Sequence, residues 1–246
     1  TEFVRILDKI SIFEKKNISS YTEFLDPYLS TKVKRLLEYK FGHITYKFYG
    51  GYNDAERVIL CLVADYEDVD YLHFPISLLK IKRPKKFGDI SHRDVMGSVL
   101  SLGIVRDKIG DIVINDKEIQ IIVSQDISDY IRFNMDKIKN VSVSVEIFDI
   151  MDFEIVETNL KQIFGTVKSL RLDALASLGF NVSRSTVSDD IKREKIKVNH
   201  VPITSTSKIL RQGDLISYRG KGRMLFVGAS GVTKKDRIKV EIKRYL

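Results

Sequence analysis

The segment Arg171-Leu172-Asp173-Ala174-Leu175-Ala176-Ser177-Leu178-Gly179-Phe180-Asn181-Val182-Ser183-Arg184-Ser185, continued by Lys195-Ile196-Lys197-Val198-Asn199, decides the fold of the C-terminal third. Leu172, Leu175, Ala176 and Leu178 recur at helical spacing, and Gly179 can enter the left-handed region without a Cβ clash, so a helix is expected to stop there. Ser183 can accept from a backbone N–H two or three residues on and so start a second helix. In that helix Val187 and Ile191 lie one turn apart on a face to be buried, while Arg184, Ser188 and Lys192, at i, i+4 and i+8, line another. The result is a helix pair with a tight joint, one face packing and the other presenting charge and hydroxyls.

Beyond the pair, the alternating Ile196-Lys197-Val198 reads as a strand and Asn199-His200 as a turn. After a Ser/Thr-rich connection, Leu210 to Arg219 reads as a Gly213-Asp214 turn and a second strand. Arg219-Gly220-Lys221-Gly222-Arg223 then sets three cations and two glycines at one turn, where bare backbone lets a phosphate come close. In Arg171-Leu172-Asp173, Ser183-Arg184-Ser185, Lys197-Val198-Asn199, Gly213-Asp214 and the basic 220–223 turn, the chain resembles the S4 RNA-binding domain of αL type. The resemblance covers roughly residues 169–223 and implies a module that grips structured RNA. The candidate contacts are Arg171, Ser183, Arg184, Ser185, Ser188, Lys192, Lys195, Lys197, Asn199, Arg219, Lys221 and Arg223. Two residues depart from the pattern: Glu194 stands where that family usually has Gly, and His200 where a small or turn-forming residue is common.

Charge supports the same partner. The net charge is +8, but from Lys168 onward 18 Lys/Arg stand against 7 Asp/Glu, while the preceding 167 residues hold 23 against 26. The whole basic excess therefore lies in one small module, which favours a polyanion. A single cysteine, Cys61, excludes an intramolecular disulfide framework and a Cys-based zinc site. The longest apolar run, Val58 to Ala64, is far short of the roughly 18 residues that span a bilayer. A cytoplasmic monomer that makes no use of membrane, metal or cofactor is expected.

Residues 1–42 read as helical, with a capping-box spacing at Ser20-Tyr21-Thr22-Glu23 and a stripe of Val33, Leu36, Leu37 and Tyr39. Strands follow at Ile44 to Tyr49, Val58 to Ala64 and Tyr71 to Phe74. From Pro75 the order is strand (76–81), helix (91–102), hairpin (111–114 and 118–123), helix (127–138), strand (141–148). This β-α-β-β-α-β plan is ferredoxin-like, as in RNA-recognition modules that stack bases on aromatics of their two central strands. Here those strands carry no aromatic, so RNA contact is expected from the basic edge at Lys80, Lys82, Arg83, Lys85 and Lys86 instead. Lys82, Arg83 and Lys85 complete the candidate contacts.

The string from Phe87 through Ser91-His92-Arg93-Asp94-Val95-Met96-Gly97-Ser98 to Ile112 resembles the core of the YlmH family, bacterial S4-domain proteins commonly encoded near cell-division genes. That resemblance implies a non-enzymatic, ribosome-associated RNA-binding protein, with rRNA or tRNA and the large ribosomal subunit as partners in translation quality control. The fold class expected is α+β: an N-terminal α+β module (1–74), a ferredoxin-like (RRM-like) module (75–152) and a C-terminal S4 domain (168–246).

The alternative is an S4-bearing RNA-modifying enzyme. Arg171-Leu172-Asp173 imitates the catalytic triplet of pseudouridine synthases, yet it opens the helix pair, and Asp173 suits a first helical turn for its dipole. His92-Arg93-Asp94 imitates a kinase catalytic loop, but Val99 stands where a metal-binding Asn is needed. A methyltransferase would need a Gly-rich turn between strand and helix, and the glycines at 50–51 and 220–222 do not fit that frame. The four histidines are scattered singly, without partners at metal spacing.

Overall fold

The computed structural model describes residues 2–82, 90–155 and 160–245. Two compact units divide the chain, Thr1–Val156 and Glu157–Leu246. Helices and antiparallel sheets are mixed throughout, an α+β architecture.

In the first unit, helices α1 (Glu2–Lys16) and α2 (Pro27–Lys40) bury Ile6, Ile10, Phe13, Leu29, Val33 and Leu37. The start of α2 is not the Ser20 box. Ser20 and Tyr21 form a short strand β1 (Ser20–Tyr21), and the N-cap is Asp26, whose carboxylate accepts from the Leu29 N–H at 2.7 Å with Pro27 at the first helical position. Strand β1 pairs with β3 (Ile59–Val63), which also pairs with β2 (Thr45–Tyr49). The stretch 71–74 is not a strand: Val69–Tyr71 is a single 3₁₀ turn capped by Asp68.

Next come β4 (Ile76–Lys82), α3 (His92–Ser101), β5 (Ile109–Ile114), β6 (Glu118–Ser124), α4 (Ser128–Asn134), the small pair β7 (Lys137–Ile138) and β8 (Val141–Ser142), and β9 (Val145–Phe148). The sheet order β5-β6-β4-β9, antiparallel throughout, is that of the ferredoxin-like plan. Ser91 caps α3 in a reciprocal box with Asp94, which accounts for the Asp of the kinase-like triplet. Helix α4 is shorter than the 127–138 expected, because β7 takes over its last residues.

Both central strands are buried on two faces. Leu79, Ile81, Ile119, Ile121 and Val123 pack under α3 and α4; Ile76, Leu78 and Ile122 pack against Phe24, Ile59, Cys61, Val63 and Phe74. Strand β3 is buried on both sides too, with Leu60 and Leu62 turned to α1 and α2. Four layers result, helices, sheet, sheet, helices, and the N-terminal residues roof the sheet face on which related modules stack bases. The joint is fastened by Arg57, 9% exposed, which donates to the carbonyls of Ile109 (2.7 Å), Phe24 (2.9 Å) and Arg106 (3.3 Å). Burial pushes its basicity down. Asp111 completes it, accepting from the Tyr52 hydroxyl and the N–H groups of Glu56 and Arg57.

In the second unit, β10 (Leu160–Val167) precedes the helix pair α5 (Leu172–Phe180) and α6 (Arg184–Lys192). Then follow β11 (Ile196–Val198), β12 (Val201–Pro202), β13 (Leu215–Tyr218), β14 (Gly222–Val232) and β15 (Ile238–Tyr245). The sheet runs β10-β15-β14-β13-β11-β12. Its inner face, Ile196, Val198, Ile216, Tyr218, Met224, Phe226, Val240 and Ile242, packs against Leu172, Leu175, Ala176, Phe180, Val187 and Ile191 of the helices. Helix α5 does not stop at Gly179. The left-handed residue is Asn181 (φ 54°), and Gly179 is needed inside the helix because a Cβ there would lie 2.2 Å from the Met224 sulfur.

Candidate RNA interface

Asp173 organises the helix pair. It sits in the first turn of α5, 4% exposed, and accepts from the Arg171 Nε at 3.1 Å and from an Arg184 Nη at 2.5 Å. Burial alone would raise its pKa, but the hydrogen bonds and charges of Arg184 and Arg171 outweigh that and hold the carboxyl below its ordinary range. The two arginine side chains remain 37% and 53% exposed, so each is fixed at one end and open to solvent at the other. The N–H of Leu172 donates to the Lys208 carbonyl (2.8 Å), which brings the Ser/Thr-rich connection alongside this pair of cations. Ser183 caps α6 through the Thr186 N–H and bonds the Ser185 and Thr186 hydroxyls; Ser185 is exposed and Ser188 half-buried. Val187 and Ile191 are buried, and Lys192 stands 70% exposed on the opposite face, 4.0 Å from Asp189.

A second group lies where α6 ends. Asp190 accepts from Lys195 (2.8 Å) and from the Tyr218 hydroxyl (2.6 Å), and these bonds lower its pKa while that of Tyr218 is pushed up to about 12, first by burial and then by the carboxylate. The Lys195 carbonyl accepts from the Arg219 N–H, which joins this network to the exposed turn of Arg219 and Lys221. Gly220 (φ 77°) and Gly222 (φ 94°) shape that turn, and Arg244 donates to the Lys221 carbonyl while lying over the Phe180 ring.

Both departures from the S4 pattern fall in left-handed backbone: Glu194 at φ 55° and His200 at φ 66°, the latter beside Asn199 at φ 48°. Asn199 and His200 form the two-residue turn between β11 and β12, whose twist demands positive φ at both positions. The Asn199 amide donates to Asp214 (2.7 Å) and accepts from the Leu215 N–H (2.9 Å), locking this turn to the Gly213 turn.

The candidates therefore do not share one surface. Arg171, Arg184, Ser188 and Lys192 lie on the helical side. Lys197 pairs with Ser217 and Ser217 with Arg223 across the strands, a row on the outer face of the sheet. In the first unit Lys82 is 82% exposed at the end of β4, 3.7 Å from Glu146; Arg83 and Lys85 lie outside the described residues. Lys80 leaves the expected basic edge: it is 9% exposed on the roofed sheet face, 3.0 Å from Glu118 and over the Phe148 ring. Lys208 and Arg244 were not singled out in the sequence, because only a long-range backbone pairing and an unassigned strand bring them to these groups. Among the described residues no helix is long and apolar enough to cross a membrane.

Known proteins carry the same parts. Residues 70–152 match the family described as "Putative RNA-binding domain in YlmH", and residues 170–216 match the S4 domain. The "Cell division protein ylmH from Streptococcus pneumoniae" superposes with a TM-score of 0.52 at 26% identity, over 61% of this chain and 91% of that one. The "Ribosome-associated protein quality control protein P2" of Bacillus subtilis (strain 168) is 32% identical over 225 residues, 91% of this chain and 86% of that protein. With its S4 domain C-terminal to that RNA-binding domain, and a relative this similar along nearly its whole length, the chain belongs to the YlmH family.

Proposed function

We propose that this protein docks, as a cytoplasmic monomer and without catalysing a reaction, on the folded RNA of the large ribosomal subunit, with or without bound tRNA, during translation quality control. The observation that carries the reading is the Asp173 clamp, which holds Arg171 and Arg184 at one end and leaves them open to solvent, with the exposed Lys192 at the far end of α6. Cations fixed in this way contact phosphates without ordering two long side chains at the moment of binding, and phosphate contacts fix position while the shape of the RNA sets location. The name of the Bacillus subtilis relative points the same way. The clamp also weighs against the pseudouridine-synthase reading, since the Asp173 carboxylate is 4% exposed at the joint of the helix pair, out of reach of a substrate base. In this scheme residues 168–246 form the RNA-binding module, residues 75–152 add contacts around Lys82, Arg83 and Lys85, and residues 1–74 serve as the roof.

Sedimentation of the tagged protein through sucrose gradients tests the reading. It should travel with the large subunit at low salt and leave it at high salt, and Arg184→Ala with Lys192→Ala should release it at lower salt. In binding titrations the double variant should flatten the slope of log K against log salt by about two phosphate contacts' worth, at about 0.7–0.9 each. A wild-type protein that stays at the top of the low-salt gradient, including from cells with stalled translation, would overturn the ribosome assignment.

A further inference from the structure

The outer face of the second sheet carries an arrangement that the helix-side reading leaves unused. Strand register places Leu160 opposite Tyr245, Gln162 opposite Lys243, Phe164 opposite Glu241 and Thr166 opposite Lys239, while Leu225 also faces Lys243 and Ser217 faces both Arg223 and Lys197. Directly opposed residues of antiparallel strands share a face. Their neighbours Ile163, Val240, Ile242, Met224, Ile216 and Val198 all pack toward the helices, so these side chains all point away from the core.

Phe164 is 71% exposed and Leu160 41%. Tyr245 lies under the Arg223 guanidinium, 5.9 Å from ring centroid to carbon, a geometry that holds the ring with one face toward a cation. Phe164 and Leu160 are four residues apart on one strand, so Phe164 and Tyr245 are separated by about 13 Å, with the Gln162–Lys243 pair between them. Lys197, Arg223, Lys239 and Lys243 face a single acid, Glu241, within this pattern. A protein partner would be met by apolar area with mixed charge. Isolated rings separated by polar and cationic side chains, on a face where four cations outnumber one acid, match the alternating π-faces and phosphates of a single-stranded nucleic acid.

We propose that this sheet face is a second RNA site, which stacks unpaired bases on Phe164 and Tyr245 and holds the connecting phosphates with Lys243 and Arg223. It rests on the reading that the partner is RNA, and it divides the labour: helix-side cations take folded RNA by its backbone, and the sheet takes a strand looped out of it. The sheet face that the first unit roofs over is thus replaced in this role by one on the second unit.

The chain contains no tryptophan, so Phe164→Trp in the 246-residue chain makes a single fluorescent reporter at the site. Its emission should be quenched by an unstructured oligouridylate 12-mer, and affinity for that strand should be kept. Phe164→Ala should weaken binding of the 12-mer about 5- to 100-fold, with duplex RNA binding and the melting temperature unchanged. Arg184→Ala with Lys192→Ala should show the reverse preference, losing duplex more than single strand. The inference is overturned if Phe164→Ala binds the 12-mer as wild type does, if it loses duplex and 12-mer equally, or if wild type binds duplex alone; in each case the RNA reading itself survives. A concentration-dependent dimer abolished by Phe164→Ala would also overturn it, by showing that a second copy covers the face. Failure of wild type to bind either probe or the ribosome would instead remove the reading on which it rests.

Discussion

Replacing Asp173 separates the clamp from the contacts it supports. The carboxylate is 4% exposed and its two partners are 37% and 53% exposed. Breaking a fully buried pair costs about 3–5 kcal/mol, because a charge is stranded away from water. An exposed pair is worth about 0–1 kcal/mol. Here both stranded groups are arginines that can rehydrate, so Asp173→Ala should cost about 1.5–2.5 kcal/mol. Asp173→Asn, which keeps the shape and one acceptor, should cost about 1 kcal/mol. The acid limb of the stability curve should change with it. The folded carboxyl titrates below its ordinary 3.8, so its contribution is complete above that pH and disappears as pH falls through the lower folded value. Both variants should lose that part of the acid dependence, read by urea denaturation between pH 2 and pH 7. RNA affinity should fall because Arg171 and Arg184 are no longer aimed, yet no cation has gone, so the salt slope should stay at the wild-type value, whereas Arg184→Ala should flatten it by about 0.7–0.9. Wild-type stability and acid profile in Asp173→Ala would refute the clamp, and a reduced slope in Asp173→Asn would show that it does more than position.

Two further outcomes bear on the frame that carries these contacts. Arg57→Met keeps the length of the side chain but abandons the carbonyls of Ile109, Phe24 and Arg106 at the joint between the two sheets, and should lower stability by about 2–4 kcal/mol in urea denaturation; an unchanged midpoint would show the joint to be held by apolar packing alone. Glu194→Gly relieves a left-handed residue and should stabilise the chain by about 0.5–1 kcal/mol. Asn199→Gly, in the same backbone region, should instead destabilise by about 1–2 kcal/mol, because it gives up the bonds to Asp214 and Leu215. Equal signs for the two substitutions in thermal melts would contradict this account.

What could be read in the sequence was whatever is settled over a few residues. Ser183 as a cap, Val187 and Ile191 as the packed face, the 115–117 hairpin and the β-α-β-β-α-β order all rest on local spacing, and local hydrogen bonds and turn geometry do fix them. The misreadings arise where a distant partner competes with a local signal. Ser20 and Glu23 have capping-box spacing, but Ser20 is drawn into β1 opposite Leu62 and Glu23 pairs with Lys108, and Asp26 beside Pro27 makes the better helix start. Gly179 has the residue type of a helix stop, but Met224 on a strand beyond the helix needs its empty side. The continuous apolar run Val58 to Ala64 reads as a strand, and its lack of alternation suits β3, which the structure shows buried on both faces. Nothing in its periodicity names what lies across it, since that is decided by Phe74, Leu78 and Ile122 in another part of the chain.

The same logic applies to charge. A list of cations by sequence position places Lys80 with Lys82, and the pleat does turn both to one face, but Lys80 lies under the roof beside Glu118 while Lys82 stands exposed at the end of the strand. It also merges Lys197 and Arg223 with Arg184 and Lys192, although the pleat turns the first two to the outer sheet face and the helix pair covers the other. The strand pairing of β10 with β15 joins residues on either side of the whole S4 motif, a pairing that no window of sequence contains. It brings Leu160 and Phe164 to the row that ends in Tyr245. A basic module therefore shows its partner class in its composition, but which cations act together, and whether aromatics stand among them, is decided only when the sheet closes.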